Sequence, residues 1–65
     1  MIINLWEIRK AKGLKLEAVA ILTGVSKSTI NNIENGKTDP KITVLEKIAK
    51  GLNCHISDIY ESEYK

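Results

Sequence analysis

The segment from Leu16 to Ile33 constrains this chain most, because it holds two runs of helical length with only Gly24, Val25 and Ser26 between them. In the first run Leu16, Val19, Ala20 and Thr23 recur at the three- and four-residue spacing of one helical face, and in the second Ile30 and Ile33 do the same. A turn this tight calls for a residue tolerant of positive φ, which is Gly24, and two steeply crossed helices can approach closely only over a small side chain, which is Ala20. Ser26 can accept a hydrogen bond from a first-turn amide, and Val25 before it can pack on Ile30, so the second helix is predicted to run from Lys27 to Glu34. Asn35 and Gly36, both tolerant of the left-handed conformation, end it. With Ile30 and Ile33 turned inward, Lys27, Ser28, Asn31 and Asn32 form an outward polar ridge that carries no carboxylate before Glu34.

Gly13, Asp39-Pro40 and Gly51-Leu52-Asn53 punctuate the rest of the chain into further short pieces. Ile2, Leu5, Ile8 and Arg9 mark a first helix over about residues 3–12, with Gly13 as its stop. Ile42, Leu45, Ile48, Ala49 and Leu52 mark a fourth helix that would seal the underside of a bundle. Ile56, Ile59 and Tyr60 belong to a short fifth helix, and the polar tail from Glu61 to Lys65 is expected to fray. The expectation is an all-α, five-helix bundle forming a single domain over residues 1–65.

The chain contains one cysteine, Cys54, and one histidine, His55, so it can form neither an intrachain disulfide nor a Cys/His zinc site. Cys54 reads as a buried, inert thiol and His55 as a turn or cap residue. No paired carboxylates, nucleophile elbow or Gly-rich phosphate loop stand out, which argues against an enzyme, and no cofactor or metal is called for. No apolar run has the roughly 18 residues needed to span a bilayer, and Asn4 and Glu7 interrupt the start before it could resemble a signal peptide, so the chain reads as cytoplasmic. The net charge of +2 is small, but its distribution is uneven: seven basic side chains face four acidic ones up to Lys41, against three and four from Ile42 onward. A polyanion would therefore meet the first two thirds of the chain.

Gly13-Leu14, Glu17, Val19-Ala20, the run from Leu22 to Ile30, the run from Ile33 to Lys37, Pro40 and the run from Leu45 to Lys50 resemble the Cro/repressor-type (lambda-repressor-like, Xre) helix-turn-helix family. The resemblance covers almost the whole chain. It implies a double-stranded DNA-binding transcriptional regulator, by default a repressor, that inserts the second helix of the motif into the major groove and binds as a homodimer on a pseudo-palindromic operator. Carried onto these residues, it makes Lys27, Ser28, Asn31 and Asn32 the base contacts. Their chemistry agrees: an Asn amide can both donate to and accept from adenine, Lys can reach guanine acceptors, and Ser suits several bases. It makes Lys15, Ser26, Asn35, Gly36 and Lys37 the phosphate contacts, through a helix N-terminus, exposed loop amides and lysine charge. It also makes Arg9 and Glu34 a structural salt bridge tying the first helix to the end of the recognition helix.

The chain departs from the family pattern where many members begin the second helix with Thr-Gln, since Lys15-Leu16 stands there; Lys15 can replace a phosphate contact by charge, whereas Leu16 reads as packing. Ile21 and Leu22 cannot both face the core of so short a helix. Trp6 either covers the C-terminal helix or joins Ile59, Tyr60 and Tyr64 in a dimer or partner surface. The alternative to DNA binding is therefore a protein-interaction module, such as an antitoxin or assembly factor, presenting Ile21, Leu22 and Trp6. No effector-binding domain is visible.

Overall fold

In a computed structural model describing residues 2–64, five helices are ordered as α1 (Leu5–Ala11), α2 (Leu16–Thr23), α3 (Lys27–Glu34), α4 (Ile42–Leu52) and α5 (Ile56–Ile59). Two short strands, β1 (Ile2–Ile3) and β2 (Tyr60–Glu61), pair antiparallel with Ile2 opposite Glu61 and Ile3 opposite Tyr60. This ribbon corrects two expectations. Ile3 does not start the first helix and Tyr60 does not end the fifth, because the Asn4 N–H donates to the Ile59 carbonyl at 2.6 Å and draws the two ends of the chain together. Glu61 is paired rather than frayed, while Lys65 of the expected tail and Met1 lie outside the described residues.

The core forms where the apolar faces of all five helices converge. Leu5 from α1, Val19 from α2, Ile30 and Ile33 from α3, Leu45 and Ile48 from α4, and Ile59 from α5 are all 2% exposed or less. Burial of such side chains is the main favourable contribution to folding, at about 1.5–3 kcal/mol each. Leu16 and Ala20 are partly buried and pack against this cluster.

Helix α2 packs on both α3 and α4, and the contact with α4 depends on Gly51. A side-chain Cβ built there would lie 2.5 Å from the Leu22 carbonyl oxygen and 2.7 Å from Thr23 Cα, so only glycine lets the two backbones meet. Gly51 is thus a packing residue inside α4 and not part of its stop signal. The stop is Asn53, in the left-handed conformation at φ 55°, after which the Cys54 N–H closes the end onto the Ala49 carbonyl at 2.9 Å. His55 begins α5, where its backbone N–H donates to Asp58 Oδ2 at 3.0 Å. Among the described residues, no helix is long and apolar enough to cross a membrane.

Candidate nucleic-acid interface

The bend between α2 and α3 is built from three locally specified elements. Gly24 closes α2 at φ 74°, its N–H donating to the Ala20 carbonyl at 2.9 Å. Thr23, 7% exposed, donates its hydroxyl to the Val19 carbonyl at 2.7 Å and accepts the Val25 N–H at 3.2 Å. That hydroxyl therefore satisfies a buried amide at the point where the helix has stopped supplying partners. Ser26 then caps α3, its Oγ accepting the Thr29 N–H at 3.2 Å and donating to Thr29 Oγ1 at 2.7 Å.

Below α3, Val25, Ile30 and Ile33 are buried in the core. Lys27, Ser28 and Asn31 are exposed and Asn32 is half-buried. At about 100° per residue these four positions fall within roughly 140° of arc, turned away from Ile30 and Ile33. The ridge is uncovered by the C-terminal segment, which pairs with β1 instead.

Two features of the ridge differ from the sequence-based expectation. Lys27 is not a free cation: its Nζ donates to Glu17 Oε1 from the first turn of α2 at 2.5 Å. The carboxyl of Glu17 is lowered below its ordinary pKa, first by that hydrogen bond and then by smaller contributions that include nearby Lys15. A carboxylate thus does stand beside the ridge, contributed by a neighbouring helix and invisible in the sequence of α3. Asn31 also has a partner, its Oδ1 accepting from Asn35 Nδ2 at 3.3 Å.

The expected loop amides are already occupied. The N–H groups of Asn35, Gly36 and Lys37 donate to the carbonyls of Asn31, Ile33 and Asn32 at 3.0, 3.2 and 2.9 Å. Gly36, at φ 72°, is therefore a helix terminator whose amide is not available to an anion, which removes the basis for placing it among the phosphate contacts. The exposed side chains of Lys37 and of Lys15, which precedes α2 without capping it, remain available for such contacts, and Asn35 keeps one side-chain N–H beyond the one given to Asn31. The Ser26 hydroxyl is committed to capping.

Arg9 and Glu34 meet in a two-point pair, with Nε to Oε2 at 2.7 Å and Nη2 to Oε1 at 3.0 Å, while Nη1 donates to the Leu14 carbonyl at 3.0 Å. The side chains are 11% and 4% exposed, so the pair is largely shielded from water. Hydrogen bonding to Glu34 raises the Arg9 pKa above its ordinary value against the opposing effect of burial. The pair fastens α1 to the end of α3 and neutralises the one carboxylate that α3 carries.

Of the proposed surface aromatics, Tyr64 is 90% and Trp6 49% exposed, with Lys10 Nζ 5.7 Å from the Trp6 ring centroid. Trp6 therefore covers the body of the domain only in part. Ile59 is fully buried, which removes it from any surface and assigns it to the core. Tyr60 is half-buried in β2. On α2, Ile21 is 83% and Leu22 52% exposed.

Sequence reasoning missed the roles that three residues play in this region. Thr23 preceding Gly24 carries a local signal, because a threonine can bind the amide two residues on. Glu17 could have been found by asking which charge lies across the bend from Lys27. Gly51 has no local signal, since its role depends on where α2 lies.

Comparison with known proteins agrees with this geometry. The chain is 38% identical over 53 residues to the competence pilus inhibition repressor of Acinetobacter baylyi, covering 82% of this chain and 48% of that protein. It spans less than half the length of the first curated relatives that it matches. An HTH_3 family transcriptional regulator from Vibrio cholerae superimposes with a TM-score of 0.81 at 48% identity, covering 83% of this chain and 30% of that one. A restriction-modification controller protein from Aeromonas hydrophila superimposes with a TM-score of 0.83 at 30% identity, covering 88% and 86% of the two chains. The family model described as helix-turn-helix matches residues 7–59, and the chain belongs to that family.

Proposed function

We propose that the chain is a sequence-specific, double-stranded DNA-binding transcriptional regulator that lays α3 in the major groove. The observation that carries this reading is the two-sidedness of α3: Ile30 and Ile33 are held in the core while Lys27, Ser28 and Asn31 are exposed and Asn32 is half-buried beside them. An α-helix with its side chains is about 10–12 Å across, which suits a major groove about 12 Å wide. Several relatives carry names of transcriptional regulators or repressors, which supports the same reading.

In this reading the chain acts as one domain in the cytoplasm, and two copies place their α3 helices in successive major grooves about 34 Å apart on a pseudo-palindromic operator. Pairing doubles the phosphate contacts, which matters for a protomer with few lysines. Lys15, Asn35 and Lys37 position the domain on phosphates, Ser28, Asn31 and Asn32 read base edges, and Lys27 does so in company with Glu17. Repression follows by occlusion of a promoter. Selection from a random duplex library tests the assignment: wild-type protein enriches a two-fold-related site, Asn32→Ala relaxes discrimination, and Lys37→Ala weakens binding to all sequences and flattens its salt dependence. Equal effects of the two changes on enrichment and salt slope contradict it.

A second reading is favoured by the exposure of Ile21 and Leu22 on α2 and of Trp6 on α1, apolar side chains that a protein partner could cover. It predicts no duplex binding at low salt and loss of a partner on Ile21→Ser.

A further inference from the structure

Glu17 and Lys27 are ten positions apart, in the first turn of α2 and at the first residue of α3, and the bend brings their charged atoms together. Their side chains are 59% and 54% exposed, and a pair so open to water contributes little to stability. Its location gives it another consequence. Lys27 is the only cation within α3, at the tip of the ridge, and Glu17 cancels its charge there.

Binding to DNA of any sequence depends on how many phosphates the protein neutralises. A lysine held by a carboxylate is withdrawn from that set. An ammonium has three donors, and with one given to Glu17 two remain, matching the N7 and O6 acceptors on the major-groove edge of guanine. A phosphate is itself negatively charged and is repelled by Glu17, whereas the guanine edge is neutral.

We propose that Glu17 is a specificity-determining residue: by holding Lys27 it withholds that charge from phosphates while leaving it able to read a guanine opposite the start of α3. This inference rests on the DNA-binding reading above. Glu17 acts through Lys27 and is a positioning residue, so its removal changes electrostatic selectivity while leaving the fold intact.

The test compares wild-type protein, Glu17→Gln and the double variant Glu17→Gln/Lys27→Met on a random-sequence duplex and on a duplex selected by the wild type, across a range of salt. Freeing Lys27 in Glu17→Gln steepens the salt slope on random duplex by about 0.9, so its gain over wild type is about three- to four-fold larger at ~50 mM than at ~200 mM salt. Affinity for the selected duplex rises less, and the specificity ratio falls. The double variant keeps the wild-type slope on random duplex and loses the preference for guanine, with thermal midpoints unchanged throughout. If Lys27 already binds phosphate in the wild type, Glu17→Gln leaves the slope unchanged and the double variant is shallower by about 0.9, which overturns the proposal alone. Failure of all three proteins to bind any duplex at low salt overturns both the proposal and the DNA-binding reading.

Discussion

Replacing Gly51 by alanine separates helix propensity from packing, because the two predict changes of opposite sign. In an unconstrained helix interior, Gly→Ala stabilises by about 1 kcal/mol. Here the new Cβ lies 2.5–2.8 Å from backbone atoms of Leu22 and Thr23, where ordinary contact begins at 3.4 Å, so it is 0.6–0.9 Å too close. Neither partner is a side chain that can rotate away, and α4 must therefore shift from α2. A gap of roughly 0.5–1 Å forfeits a quarter to a half of the dispersion attraction across a contact. Overpacking of this kind costs about 1–3 kcal/mol, which cancels the propensity gain and leaves a net loss of up to about 2 kcal/mol. For a domain of this size the thermal midpoint should fall, by up to roughly 15 °C. Because α2 also carries one side of the bend, affinity for an operator should fall with it. Thermal unfolding followed by far-ultraviolet circular dichroism decides the matter: a midpoint raised by the substitution refutes the close helix crossing.

The Arg9–Glu34 pair gives a second expectation, since Glu34→Gln leaves a shielded guanidinium without its counter-charge. That should cost about 1–3 kcal/mol in urea unfolding, and the double replacement Arg9→Met/Glu34→Leu should cost less than the sum of the singles; strict additivity contradicts the coupling. Thr23→Val deprives the buried Val25 N–H of its acceptor and should cost about 1–2 kcal/mol, whereas Thr23→Ser should retain most stability. The Cys54 thiol is pushed above its ordinary pKa first by burial and then by Asp58, with Lys12 opposing. Its neutral form is therefore favoured by the native state, whose stability from this group is full below the ordinary thiol range of about 8.5 and is lost as pH rises through the folded-state value. Alkylation by iodoacetamide near pH 8 should accordingly be slower in native than in unfolded protein, and equal rates contradict the shift.

The motif was legible because its determinants are local. Apolar spacing places α2, α3 and α4, Gly24 marks the left-handed turn, and Ser26 is an N-cap whose acceptor role needs only the next three residues. The terminal ribbon was not legible, because two-residue strands carry no periodicity and Ile2–Ile3 finds its partner at the opposite end of the chain. Gly51 resembles a helix stop in sequence and acts as a contact in space. The base-contact candidates could be named from the resemblance, but the carboxylate that modifies Lys27 comes from another helix, through the angle of the bend. Gly36 shows the converse, where helix termination consumes the amide that might have held a phosphate.

The central claim is that the exposed side of α3 is the surface that meets DNA. Amide and side-chain NMR shifts recorded while titrating the isotopically labelled chain with a selected operator duplex test it most directly. The largest changes should fall on Lys27, Ser28, Asn31, Asn32 and Lys37, with Ile21, Leu22 and Trp6 left nearly unmoved. Changes centred on Ile21, Leu22 or Trp6, with the α3 resonances still, would contradict it.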